Sequence, residues 1–118
     1  MCAHKVIIPI ISGDESELFE KYLEFCSSAD KIILVNIVEH SDNSTLAFST
    51  EIKNKQKTLE FFSEKFGPKC KIYDEWGSLI DKLSRIINVE KPDLMLLKSS
   101  PKAKEIMEKV FGVKIIVF

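Results

Sequence analysis

The sequence contains one arginine, Arg85, among its 17 basic residues. Arginine grips phosphate and carboxylate groups through two parallel hydrogen bonds, whereas lysine acts as a hydrated point charge, so an arginine-based phosphate clamp is nearly excluded. Glycine is scarce, with four residues in the chain, and the stretch Lys98 to Lys104 has none, so its backbone cannot wrap closely around a triphosphate. The three cysteines, Cys2, Cys26 and Cys70, are widely spaced and form no Cys-x-x-Cys pair. They read as reduced thiols, with Cys26 serving as a small core hydrophobe. Neither sign of charge dominates, at 17 basic against 18 acidic residues. With no basic stripe, nucleic acid is not an expected partner. The longest apolar runs, Val6 to Ile11 and Leu94 to Leu97, fall far below the roughly 18 residues of a membrane span. The opening Met1 to Lys5 offers no secretory signal, so the expected compartment is the cytoplasm.

What is present is a regular alternation of strand and helix patterns over 118 residues, enough for one core and a single domain, 1–118. The first strand, Lys5 to Ile11, is apolar throughout, as a strand covered on both faces should be, although Pro9 is awkward inside a central strand. Leu18, Phe19, Tyr22, Leu23 and Cys26 then recur on one helical face. Lys31 to Val38 is a second strand. A long helix, beginning between Thr45 and Glu51, carries Phe48, Ile52, Leu59, Phe62 and Phe66 and stops at Gly67-Pro68. Lys69 to Asp74 alternates lysine with Cys70 and Ile72, the look of an edge strand. Gly77-Ser78, with Asp81 three residues on, caps a helix striped by Leu79, Ile80, Leu83, Ile86 and Ile87. Asp93 to Leu97 is a fourth, central strand. Ser99-Ser100-Pro101 opens the last helix, whose inward face is read as Ala103, Ile106, Met107, Val110 and Phe111, and Val113 to Phe118 is the fifth strand.

Ligands of open parallel sheets bind beyond the carboxyl ends of the strands, so the loops after strands matter most. After the first strand, Ser12-Gly13-Asp14-Glu15-Ser16 places two carboxylates at a helix start, where they suit the helix dipole and repel phosphate; Ser12 or Asp14 is read as a helix cap. After the fourth strand, Lys98-Ser99-Ser100-Pro101-Lys102-Ala103-Lys104 surrounds a helix N-terminus with hydroxyls and ammonium groups. A serine cap with solvated lysines is the plain reading, and a bound anion the alternative. No metal site is expected, because His4 and His40 have no ligand set at suitable spacing. No Gly-x-Ser-x-Gly elbow is present, and Ile10-Ile11 stands where a phosphoacceptor domain needs an acidic pair.

Val6-Ile7-Ile8-Pro9-Ile10, the small-residue turn into Asp14-Glu15-Ser16-Glu17, and Ile33 to Val38 resemble the opening β-α-β unit of the universal stress protein family, in which a proline in the first strand is a mark. Gly77-Ser78, Lys91-Pro92-Asp93 to Leu97 and Val113 to Val117 resemble its later units in order and spacing. The resemblance implies an α/β fold: a doubly wound five-stranded parallel sheet, order 3-2-1-4-5, with helices on both faces. Nucleotide-binding members hold ATP between strands one and four, using an aspartate after the first-strand proline and a Gly-x-x-Gly loop followed by Gly-Ser or Gly-Thr after strand four. Here the aspartate position reads Ile11, and Leu97-Lys98-Ser99-Ser100 runs almost directly into the last helix. ATP is therefore disfavoured and no cofactor is expected. The candidate ligand cleft comprises Ile10, Ile11, Ser12, Val38, Lys98, Ser99, Ser100 and Lys102.

The last strand is apolar and lies at a sheet edge in this order. Val113, Ile115, Ile116, Val117 and Phe118 are read as a dimer edge, since an unprotected apolar edge must be covered, and family members commonly dimerise there. The expected protein is a homodimeric regulatory or interaction module with no turnover and a possible protein partner. The alternative is a nucleotide- or anion-binding protein using the Lys98 to Lys104 helix N-terminus.

Overall fold

The computed structural model describes residues 4–39 and 45–118, with side chains from residue 50 onward in the second stretch. Cys2, His40 and Phe48, named above, lie outside the residues so described. Five strands form one parallel sheet: β1 (Lys5–Ile10), β2 (Lys31–Val38), β3 (Cys70–Trp76), β4 (Leu94–Leu97) and β5 (Lys114–Val117). Their order is β3-β2-β1-β4-β5, as the resemblance implied. Between them run α1 (Phe19–Cys26), α2 (Thr45–Phe66), α3 (Leu79–Glu90) and α4 (Pro101–Lys109).

Strand alternation sorts the apolar residues into two cores. Val6, Ile8, Ile10, Ile32, Leu34, Leu94 and Leu96 meet Tyr22 and Cys26 of α1 and Leu59, Phe62 and Phe66 of α2. On the other face, Ile7, Ile33, Val35, Ile37, Met95 and Leu97 meet Leu79, Leu83, Ile86 and Ile87 of α3 and Ala103 and Ile106 of α4. This two-sided burial is why β1, β2 and β4 are apolar almost throughout, Asn36 of β2 being a buried exception that donates to Asp74 at 3.2 Å.

Three readings are corrected. Leu23 is 36% exposed, because the buried stripe of α1 runs through Tyr22 and Cys26, four residues apart, and Leu23 lies about 100° round the helix from Tyr22. Met107 is 51% exposed for the same reason: Ala103 and Ile106 define the inward line of α4. Phe111 is 77% exposed, since α4 ends at Lys109 and Val110 is already extended (φ −111°, ψ 128°), which takes residue 111 out of helical phase. The third strand also runs on to Trp76, pairing Val38↔Trp76, two residues beyond the predicted end.

Pro9 is accommodated in a specific way. The carbonyl of His4 accepts from the amides of Asp30 and Lys31 on the β2 side, and that of Lys5 accepts from Asp93 on the β4 side. Alternation then points position 9 toward β4, so the donor that proline lacks is one β4 would have used. Pairing of β1 with β4 accordingly consists of Val6↔Leu94 and Ile7↔Met95, whereas β1 with β2 continues to Ile10↔Asn36. Strand β4 goes on with β5 as far as Leu97↔Val117. Beyond Ile7 the hydrogen-bonded pairing of β1 with β4 stops although the strands stay adjacent, and past their carboxyl ends lies the topological switch point, the position of the ligand crevice in open parallel sheets.

Candidate functional site

The crevice between β1 and β4 is bordered by the loop after β1, the end of β2, the N-terminus of α4 and the middle of α2. The sequence-predicted residues do converge here: Ile10, Ile11 and Val38 are buried at the strand ends, and Lys98, Ser99, Ser100 and Lys102 form the facing wall. What their backbone and charges are bonded to was not foreseen.

Glu15 is completely buried. Its carboxylate turns back on the loop: Oε2 accepts from the amides of Ile11 (2.7 Å) and Ser12 (3.0 Å), and Oε1 from that of Gly13 (2.9 Å). Three successive N–H groups make a concavity suited to an anion, and a side chain of the protein occupies it. The helix-capping role expected of Ser12 or Asp14 is not found, since the turn Glu15–Leu18 has no side-chain cap from Asp14. The reason is geometric. A 3₁₀ turn precedes α1, and its first residue satisfies the amides before the turn instead of those within it. Gly13 permits this loop because its φ is +85° and a Cβ would lie 3.0 Å from the Asn54 Cβ of α2. Thr58 Oγ1 donates to the Gly13 carbonyl at 2.6 Å, fixing α2 against the loop.

The neighbouring charges are likewise engaged. The Ser12 hydroxyl donates to Asp14 at 2.6 Å, and Asp14 is ion-paired with Lys98 across the crevice. The Lys98 bond holds the Asp14 carboxyl below its usual range, and Asp14 raises the lysine in turn. Lys102 donates to Glu39 at 2.9 Å and lies 3.6 Å from Glu105. Burial would raise Glu39, but Lys102 and the Leu79 amide outweigh it and the carboxyl lies below its ordinary value. Lys55 of α2, 7% exposed, donates to the Ile37 carbonyl at 2.8 Å, and burial lowers its pKa. The Val38 carbonyl accepts from the Gly77 amide at 3.0 Å. Ser100 is the α4 cap, accepting from the Ala103 amide at 3.1 Å, as the plain reading of that loop had it. Ser99 is exposed, and its amide donates to the Phe118 carbonyl at 3.0 Å. Among the described residues, no group of three or more metal-ligating side chains occurs and no helix is long and apolar enough to cross a membrane.

Glu15 and Lys55 are the site residues that sequence reasoning missed. A signal for Lys55 existed: the apolar stripe of the long helix skips from Ile52 to Leu59, and Lys55 and Thr58 fill that gap on the buried face.

The expected last-strand edge is where the order places it. Ile115 and Val117 pack toward α3 and α4, and Ile116 and Phe118 toward α1 and α2. The Phe118 ring meets Tyr22 edge-on at 4.9 Å, and its amide donates to the Leu97 carbonyl at 2.9 Å, so the end of the strand is tied down.

This sheet order, with a crevice at the β1–β4 switch point, is the fold of the universal stress proteins. Among solved structures, the universal stress protein UspA from Lactobacillus plantarum superposes with a TM-score of 0.75 over 100% of this chain and 99% of that one, at 12% identity. A universal stress protein in complex with cAMP matches at TM-score 0.63 and 12% identity, covering 100% of this chain and 98% of its own. An Arabidopsis thaliana universal stress protein family protein with AMP bound matches at TM-score 0.61 and 19% identity, over 96% and 90% of the two chains. The resemblance read from the strands thus holds at the level of the fold. No protein-family model and no curated protein matches the sequence.

Proposed function

We propose that this chain is a cytoplasmic universal-stress-like regulatory or interaction module, homodimeric through β5, that does not hold ATP at the β1–β4 crevice. The observation carrying this reading is that the crevice is already bonded to itself. Glu15 takes the amides of Ile11, Ser12 and Gly13, Lys55 takes the Ile37 carbonyl, and Lys98 and Lys102 are paired with Asp14 and Glu39. A triphosphate would have to displace these carboxylates and then meet their negative charge at close range. A ligand at one hundred times its Kd stabilises the folded state by about 2.7 kcal/mol, which a thermal melt detects readily. The expected result is an unchanged melting temperature with magnesium and ATP. Saturable, magnesium-dependent binding at micromolar ATP would overturn the proposal. The dimer half is supported by the apolar β5 edge, and sedimentation over a concentration series should return at least twice the chain mass.

A second reading is favoured by the neighbours whose structures hold cAMP and AMP: a nucleotide monophosphate held by Lys98 and Lys102 at the α4 N-terminus. Binding of AMP that is lost in Lys98→Glu with Lys102→Glu would establish it; no AMP binding by the unaltered protein would end it.

A further inference from the structure

Strand β3 stands at the opposite edge of the sheet from β5, and among the described residues no strand pairs with its outer side. At seven residues it is longer than β5, which has four. Two of the exposed large apolar side chains lie on it, Ile72 (46% exposed) and Trp76 (54%), both directed to the α2 face by alternation. Long edges carrying exposed apolar residues are templates for another strand, and charge usually decides which strand can approach.

The charges on β3 are arranged about its centre. Lys71 and Glu75 flank Tyr73 at equal distances on the α3 face, so an antiparallel copy placed with Tyr73 opposite Tyr73 brings each Lys71 against the other chain's Glu75. Isologous contacts require this reciprocity, in which residue i meets j and j meets i. In the same register Ile72 lies diagonal to the copy's Ile72 and Trp76, within reach of such side chains. Sliding the copy by two residues loses both the charge pairs and the central match.

The neighbours of these groups leave room for the contact. The Lys71 ammonium donates to Glu90 at 2.6 Å, and an ammonium has three donors. Glu75 Oε1 accepts from Lys82 at 3.2 Å and Arg85 at 3.3 Å, while Oε2 takes part in neither bond. Lys71 therefore keeps Glu90 while meeting a second carboxylate. We infer that β3 is a self-recognition edge, pairing antiparallel with β3 of a second copy about Tyr73. Its occupant is independent of β5: together the two edges join sheets in series, and β3 alone makes a dimer.

Charge complementation distinguishes this contact from one at β5. Lys71→Glu places like charges opposite each other in a homodimer, as does Glu75→Lys. A mixture of the two variants restores both pairs. With one variant isotope-labelled, native mass spectrometry should find heterodimer well above the binomial share. Pairing at β5 alone, which does not sense these charges, gives the binomial share and would overturn the inference, as would no association in the mixture. Because Lys71→Glu sets two carboxylates side by side at Glu90, a second test avoids it. Tyr73→Cys places two thiols on the symmetry axis, at the Cα separation a disulfide needs. Diamide, accepting the two electrons and two protons, should cross-link Tyr73→Cys at least tenfold faster than Val89→Cys, a control on the exposed side of α3. Equal rates would sink the proposal.

Discussion

Glu15 changes what the loop after β1 means. A buried carboxylate accepting three backbone amides contributes more than a surface cap, because its removal leaves those donors without partners. Glu15→Ala should cost about 3 kcal/mol in urea unfolding. Glu15→Gln should recover little, since an amide offers one acceptor oxygen and presents N–H groups to N–H groups. A loss below 0.5 kcal/mol, roughly a surface effect, would show that solvent satisfies the loop equally well. Ser12-Gly13-Asp14-Glu15 announces a polar turn, but sequence spacing alone cannot say whether a carboxylate bonds forward into a helix or backward into the preceding strand. That choice is made by how the loop packs under α2, where Gly13 lies against Asn54 and its carbonyl accepts from Thr58, a tertiary fact. Lys98 and Lys102 were legible as a charged wall for the same loop; that Asp14 and Glu39 neutralise them was not, because the partners lie 84 and 63 residues away.

At the scale of elements, β1, β2 and β4 were readable because near-continuous apolar runs admit little besides strands covered on both faces, and α3 because Ser78 and its stripe agree. The end of α4 was less legible. Phe111 continues the helical spacing, yet Gly112 (φ +88°) and the extended Val110 commit the chain to turn before it. At the end of α3, Lys91 adopts a left-handed conformation (φ 50°) in the position where glycine is customary, and its amide bonds the Ile87 carbonyl at 2.8 Å. Pro92 then prevents the helix from continuing. Lys91→Gly removes the side-chain penalty of that conformation and should stabilise the protein by about 0.5 to 1 kcal/mol, measured by urea unfolding. A destabilisation would mean that the entropy glycine gains in the unfolded chain outweighs the relieved strain.

For the molecule as a whole, the amino ends of the strands are drawn together at one carboxylate. Glu90, 5% exposed at the end of α3, meets Lys31 at 3.2 Å, Lys71 at 2.6 Å and the Tyr73 hydroxyl, while Lys5 donates to its carbonyl at 2.6 Å. Hydrogen bonds from Lys71 and Tyr73 lower its pKa from 4.5 to about 2. A carboxyl depressed on folding contributes stability that is present above its unfolded value and is lost as pH falls toward the folded one. Stability should therefore drop between pH 4.5 and about 2, with Asp14 and Glu39 adding in the same direction. Glu90→Gln should be less stable at neutral pH and show a shallower acid slope. Parallel pH profiles for the two proteins would assign the acid response to other groups.

Pro9 also decides what holds the middle of the sheet together. In the register set by Val6↔Leu94 and Ile7↔Met95, the next pairs of β1 with β4 would be Ile8 with Leu96 and Pro9 with Leu97, and the ladder stops short of them because position 9 has no amide to give. Beside Glu15 and the Asp14–Lys98 pair, the two central strands are therefore joined by side-chain packing alone. Replacing Pro9 with valine would supply the missing donor and let the ladder run on, so the proline marks where the sheet exchanges hydrogen bonding for packing.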